Sequence, residues 1–266
     1  MRTTTVQELL LAVAEDQRDL IRSTTTFNGT GLTTKMMDSA QITNRDRWQQ
    51  NGELFFLNSP AGQTGTPPYV IRDFESLTGT FTLDKAFGAA PVGAGVDYAI
   101  VRTYGQKNPY RAYIQALEVA FERCNVANTV EDASLVSASG VYDYTIPNTL
   151  DTVSEVVGIP GTYPAEDFPS NLWDMRPGRK LRLSSDLYVA YPFTIRLTGR
   201  KFINTVTGLT QSVTVDNFDD VVQTASEWLN RTSNSGQSQA KGSQQQMERL
   251  RFRPRHALPN ERLVLA

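Results

Sequence analysis

The chain has one histidine and one cysteine among its 266 residues, and little else from which catalytic machinery is usually built. A single histidine excludes any multi-histidine metal site, and there is neither a Cys-x-x-Cys pair nor a His-Glu-x-x-His helix. His256 stands between Pro254 and Pro259 in a basic stretch. That is a poor place to hold a general base within reach of a substrate, so it reads as a surface or interface residue. Cys124 alone makes no intrachain disulfide, and on a helix face it reads as a small buried residue. As a nucleophile it would need that same His256 as its base. No run approaches the ~18 apolar residues of a membrane span. The opening Met1-Arg2-Thr3-Thr4-Thr5 leads into an amphipathic segment carrying Glu8, Glu15, Asp16 and Asp19, which is not the pattern of a signal peptide. A soluble chain made in a reducing compartment is expected. The net charge of −2 gives no global electrostatic case for binding nucleic acid or membrane.

Other chemistries lack their context. Gly93-Ala94-Gly95 runs into the strand-like Val96-Asp97-Tyr98, with no helix start and no Lys-Ser/Thr, so it is not a phosphate loop. Asp143, Glu155, Glu166, Asp167 and Asp174 lie near Tyr163, Phe168 and Trp173, which would suit a glycosidase cleft or a sugar-binding surface if two acids or the aromatics faced one another. Solvated acids and core aromatics are the plainer reading. Asp216, Asp219 and Asp220 lack the EF-hand Gly and Glu and fit helix capping instead. Asn28-Gly29-Thr30 and Asn230-Arg231-Thr232 are glycosylation sequons by letter only. No enzyme activity, cofactor or metal is expected.

What the chain does have is polar, Gly-punctuated β sequence interrupted by three amphipathic stretches. Residues 6–22 predict a helix with Val6, Leu9, Leu10, Val13, Leu20 and Ile21 on one face, and Thr5 with Glu8 at capping-box spacing. Residues 109–125 predict a second, with Asn108 as N-cap, Pro109 at the first helical position, and Tyr110, Tyr113, Ile114, Leu117, Phe121 and Cys124 in a stripe. Residues 217–231 predict a third, capped by Asp216, its stripe running through Phe218, Val221, Val222, Ala225, Trp228 and Leu229. Between the first two, Leu54–Leu57, Val70–Ile71, Thr80–Leu83 and Tyr98–Val101 read as short strands of a small barrel or sandwich. In the second β block, Tyr142, Tyr144 and Ile146 alternate with polar residues. Leu181 with Leu183, Leu187-x-Val189-x-Tyr191, Phe193-x-Ile195-x-Leu197 and Val213 with Val215 do the same, as in an antiparallel sandwich. Pro192 marks an edge or bulge.

The fold class expected is therefore α+β. Three or more amphipathic helices bury their faces against one another as a core, and two β-rich modules emerge from it. The boundaries expected are 1–25 for the first core helix, 26–105 for the first β module, 106–130 for the second helix, 131–215 for the sandwich-like module and 216–232 for the third helix. Residues 233–266 form a Ser/Gly/Gln-rich linker and a basic arm. The arm carries Arg249, Arg251, Arg253, Arg255 and Arg262 and ends in Leu263-Val264-Leu265. Arginine forks pair with carboxylates and stack on aromatics, and apolar ends gain from burial. Arg249, Arg251, Arg253, Arg255, Arg262, Leu263 and Leu265 are thus the candidate partner-binding residues, facing a neighbouring subunit or another protein.

The segment from Trp48 reads W-x-x-x-G-E-L-F-F-L-N, then Y-V-I-R-D-F-x-x-x-T-G-T-F-T-L-D, then A-P-V-G-A-G-V-D-Y-A-I, and passes into the helix starting at Pro109. This cadence resembles one that recurs in virion proteins of tailed bacteriophages. With the alternation of helices and β modules and the C-terminal arm, the chain is similar to head-to-tail connector adaptors of the phage neck. The resemblance implies a structural virion protein, assembled in the host bacterial cytoplasm as a homo-oligomeric ring of twelve subunits. Such a ring lies beneath the portal and meets a downstream neck or tail protein. It implies helices around a channel through which genomic DNA passes without sequence-specific binding, arms on the portal or a neighbour, no membrane, and no catalytic residues. The second β block exceeds what a minimal adaptor needs, and could be an outward decoration or a docking surface. Another tail or baseplate protein, or a carbohydrate-binding sandwich, are the alternatives.

Overall fold

The structure is a computed structural model that describes residues 2–26, 34–42, 52–58, 68–86, 94–101, 108–160, 165–186, 192–234 and 262–263. Among these there are three α-helices and four antiparallel sheets, an α+β fold. The chain divides into two compact units: Met1–Cys124 with Asn204–Arg253, and Asn125–Ile203 with Pro254–Ala266.

In the first unit, β1 (Arg2–Thr5) leads into α1 (Val6–Asp16). The capping box forms as the spacing predicts: the Thr5 hydroxyl accepts from the Glu8 N–H at 3.2 Å, and the Glu8 carboxylate accepts from the Thr5 N–H at 3.2 Å. Hydrogen bonds from the Thr4 hydroxyl and the Thr5 backbone pull the Glu8 carboxyl below its ordinary pKa. A depressed carboxylate pKa stabilises the fold above the unfolded value, and the contribution disappears as pH falls through the folded one. In a pH titration of thermal stability, Glu8→Gln should therefore remove a small acid-side loss that the parent shows below the usual glutamate range.

The helix predicted over residues 6–22 stops six residues early. Arg18 turns into the left-handed region (φ 55°), and Leu20 and Ile21 belong to β2 (Leu20–Thr24) instead. The cause is tertiary. Buried Asp19 accepts from the Tyr113 hydroxyl at 2.8 Å, which fixes the turn, and β2 pairs along β7 (Asp97–Val101).

A six-stranded antiparallel sheet follows, ordered β2, β7, β4 (Glu53–Phe56), β5 (Tyr69–Glu75), β6 (Thr80–Leu83), β3 (Lys35–Met37). Four of these contain the expected short runs. The two ends of the order meet, because the Thr26 N–H beyond β2 donates to the Met37 carbonyl of β3 at 3.2 Å. Inside lie Leu54, Phe56, Ile71, Phe74, Phe81, Tyr98 and Ile100, with Phe74 and Phe81 rings 4.7 Å apart and Phe56 edge-on to Tyr69 at 5.4 Å. Asp38, fully buried, ties this sheet together. Its carboxylate accepts from the Tyr98 hydroxyl at 2.6 Å, the Ser23 hydroxyl at 2.5 Å and the Ala40 N–H at 2.9 Å. Burial first, and then that carboxylate, push the Tyr98 hydroxyl far above its ordinary pKa.

Helices α1, α2 (Tyr110–Cys124) and α3 (Phe218–Asn234) pack against one another. Tyr113, Ala116, Leu117, Ala120 and Phe121 of α2, with Val221, Ala225 and Leu229 of α3, are buried. The caps differ from those predicted. The first N–H of α2 is met by the Glu53 carboxylate of β4, while buried Asn108 bonds Tyr113; at α3 the Asn217 side chain, not Asp216, accepts from the Asp219 N–H at 3.1 Å. β15 (Ser212–Val215) pairs with β1, so Val213 and Val215 belong to this unit and not to the second β block.

The second unit is two facing sheets. One runs β11 (Glu166–Phe168), β10 (Thr152–Pro160), β14 (Phe193–Phe202), β8 (Ala127–Val136). The other runs β12 (Trp173–Arg176), β13 (Lys180–Leu183), β9 (Asp143–Thr145). Tyr144, Ile146, Val153, Val156, Trp173, Leu181, Leu183, Phe193, Ile195 and Leu197 form a common core. β8 starts at Ala127, within the stretch read from sequence as helix and its exit. The run Leu187-x-Val189-x-Tyr191 lies outside the described residues.

Candidate docking surfaces

Of the predicted partner-binding residues, Arg249, Arg251, Arg253, Arg255 and Leu265 lie outside the described residues, as does His256. Arg262 and Leu263 form a two-residue strand, β16, whose backbone runs antiparallel to Val153 and Thr152.

The suspected carboxylate cleft does not form among the described residues. Trp173 and Phe168 are core side chains, and the Trp173 indole N–H donates to the Phe168 carbonyl at 3.1 Å. Neither presents a ring to a ligand. Asp143 and Asp174 flank Arg182 on either side of β13, an opposite-charge ladder across three strands. Glu155, Glu166 and Asp167 are exposed. Tyr163 lies outside the described residues. Cys124 is half-buried, its Sγ 3.7 Å from the Thr224 hydroxyl. Gly93 lies outside the described residues, and Gly95 (φ 78°) turns the chain into β7 rather than into a helix. Among the described residues no three acidic, His or Cys side chains converge as metal ligands.

Two surfaces remain. In the first unit, an open groove of about 460 Å³ is lined by Tyr110, Arg111 and Ile114 of α2 and by Val206–Leu209. The Val206 N–H is held by the Glu118 carboxylate at 3.1 Å, which keeps that segment along the helix.

In the second unit, β8 is the last strand of its sheet. It pairs with β14 from Ala127↔Phe202 to Val136↔Thr194, and no strand among the described residues pairs with its other edge. The register Val130↔Gly199 and Leu135↔Ile195 turns Val130 and Leu135 towards the core, where both are only partly buried. Thr129 and Glu131, opposite Arg200 and Thr198, point to the other face and are exposed. A bulge breaks the register between Ile195 and Leu197. There Asp132 folds into a local turn, accepting from the Ser134 N–H at 2.9 Å and the Thr149 hydroxyl at 2.5 Å. The Ser134 and Thr149 bonds hold the Asp132 carboxyl below its ordinary pKa. Val136 is 60% exposed. Sequence reasoning missed this edge because the five apolar residues of Ala127–Val136 follow no regular alternation and the strand begins only three residues after Cys124, with the left-handed Asn125 as its one break from the helix.

Comparison of the chain with protein-family models, curated proteins and solved structures finds no match.

Proposed function

We propose that this chain is a non-enzymatic structural protein of a tailed-phage particle, a ring-forming head-to-tail connector. The observation that carries the reading is the place of the resembling residues. Leu54, Phe56, Phe74, Phe81, Tyr98 and Ile100, which give the cadence its apolar letters, fill one core, and Gly79 and Gly95 of the same cadence make its positive-φ turns. The cadence is thus the folding code of one β module that passes into α2. The three packed helices, the inserted two-sheet module and the Arg-rich sequence of the arm supply further support, since in this reading each meets a neighbouring chain. In this reading the subunits close into a ring of twelve beneath the portal, and the helices face the genome channel. The arm residues Arg249, Arg251, Arg253, Arg255, Arg262, Leu263 and Leu265 hold the portal or the next subunit. The two-sheet module meets a downstream neck or tail protein. A weakly acidic chain lining a channel makes few phosphate contacts, so DNA slides past instead of being held.

Light scattering on the purified chain, with negative-stain images of the same peak, tests this. Closed rings, alone or after addition of portal complexes, are the expected result. A monomer that portal does not capture would sink it. Deleting residues 247–266 should leave the circular-dichroism spectrum of both units in place, lower the melting temperature of the second unit at most slightly through the loss of the two-residue β16 from β10, and abolish assembly.

A further inference from the structure

Among the described residues the first unit leaves two large apolar side chains in water, and both lie at one end of its sheet. Leu77, 78% exposed, tips the turn between β5 and β6. Ile42, 53% exposed, follows the helical turn Ser39–Gln41, which the Asp38 N–H holds at this end by donating to the Gly79 carbonyl. The Leu77 turn is rigid. β5 and β6 pair up to Glu75↔Thr80, Ser76 is buried, and the Thr78 hydroxyl donates to the Glu75 carboxylate at 3.0 Å. Turns ordinarily carry Gly, Pro, Asn, Asp or Ser, so a leucine fixed there in solvent is an apolar knob, with the exposed Glu75 carboxylate beside it. The groove along α2 has the complementary character. Tyr110, Ile114 and Leu209 give it an apolar lining, and Arg111 adds an exposed cation. At its near end the Tyr110 N–H donates to the Glu53 carboxylate of β4, and Glu53 pairs with Val70. From Val70 the paired hairpin leads the chain seven residues away, about 20 Å, to Leu77, so the knob cannot fold back into the groove of its own chain. A knob and a groove set apart on one compact unit make a head-to-tail contact between copies, which closes into a ring when its rotation allows.

We propose that the groove lined by Tyr110, Arg111, Ile114 and Leu209 receives the Leu77 turn of a second copy of this chain. Leu77 enters among Tyr110, Ile114 and Leu209, and Glu75 pairs with Arg111. The volume of about 460 Å³ has room for the leucine together with the turn residues on either side of it. The inference rests on the ring reading, for which it supplies the contact between neighbouring subunits. Burial of the leucine supplies the attachment, and the charge pair supplies the orientation.

The test uses full-length chains in a Cys124→Ser background. One population carries Thr78→Cys beside the knob and the other Thr207→Cys in the groove, both exposed positions. Mixed and treated with a short bismaleimide, they should give a covalent heterodimer, and neither population alone should cross-link. Leu77→Ser in the donor should cut the yield at least about tenfold. Gly208→Glu in the acceptor should do the same by filling the groove, at a position where a Cβ meets nothing within 4 Å and the fold tolerates it. Arg111→Glu in the acceptor should also lower the yield, and Glu75→Arg in the donor should restore it against that acceptor. Rescue by charge exchange cannot come from a misfolded acceptor. Absence of the heterodimer, or a yield that Leu77→Ser and Gly208→Glu leave unchanged, overturns the contact. Cross-linking confined within single chains that carry both cysteines overturns the second-copy occupant. Closed rings without the cross-link would sink the contact and leave the connector reading standing. The cross-link in open filaments, the product of a head-to-tail contact whose rotation does not close, would keep the contact and sink the ring.

Discussion

Gly79→Ala should unfold the six-stranded sheet of the first unit. Gly79 holds φ 65°, and a Cβ there would sit 2.1 Å from the Asp38 carbonyl oxygen and 2.9 Å from its carbon. Both partners are pinned. The Asp38 N–H donates to the Gly79 carbonyl at 2.9 Å, and the Asp38 side chain is held by Tyr98, Ser23 and Ala40. The left-handed conformation alone costs an L-residue about 1–2 kcal/mol. Displacing Asp38 adds the desolvation of a buried carboxylate network, about 1–3 kcal/mol for each group left unsatisfied. The expected loss exceeds about 4 kcal/mol in denaturant unfolding, the range kept for such backbone collisions. Gly95→Ala separates the two causes. Gly95 has φ 78°, yet a Cβ would meet nothing within 4 Å, so it should cost only the conformational part. Equal losses at the two positions would show that the collision with Asp38 plays no part.

Gly199→Ala is the counterpart in the second unit. Gly199 has an ordinary backbone conformation, but an added Cβ would lie 1.8 Å from the Thr152 carbonyl oxygen and 3.1 Å from the Val153 Cα. The strands cannot part locally. On either side of this contact the Asp151 N–H donates to the Arg200 carbonyl at 2.8 Å and the Arg200 N–H to the Thr152 hydroxyl at 3.2 Å, and β10 bulges just beyond, between Val153 and Glu155. Separating β10 from β14 opens the core that Val153, Val156, Ile195 and Leu197 share. The expected outcome is loss of amide-exchange protection throughout β8, β10 and β14, while α1, α2 and α3, which belong to the other compact unit, keep theirs. Gly208→Ala, where a Cβ meets nothing within 4 Å, should be close to neutral. Protection lost equally in both units would mean that they unfold as one.

The sequence by itself determined the elements whose cause is local. The Thr5–Glu8 capping box and the apolar stripes of α2 and α3 need only i to i+3 and i+4 relations, and all three helices form. Leu54–Leu57 and Thr80–Leu83 declared themselves as strands because apolar runs bounded by Gly and polar residues have few other uses. The cap at α2 was misread for the opposite reason. The group that meets its N–H is Glu53, 57 residues away in sequence, and no pattern near Asn108 points there.

Only the tertiary structure decided where the stop of α1, the partners of β15, the strand β8 and the fate of the buried acids would fall. Leu20 and Ile21 continue a helical stripe by spacing, but the Asp19–Tyr113 bond and pairing with β7 are worth more than two further helical residues. Val213 and Val215 read like one more strand of the nearest β block, yet they pair with residues at the far end of the chain. Asp19, inside the predicted first helix, and Asp38 look like ordinary solvated acids until burial against a tyrosine makes each a fastening. Trp173 and Phe168 look like a ligand platform until they turn inward. In each case the deciding energy comes from groups far apart in sequence, so periodicity, which records only near neighbours, is silent about it.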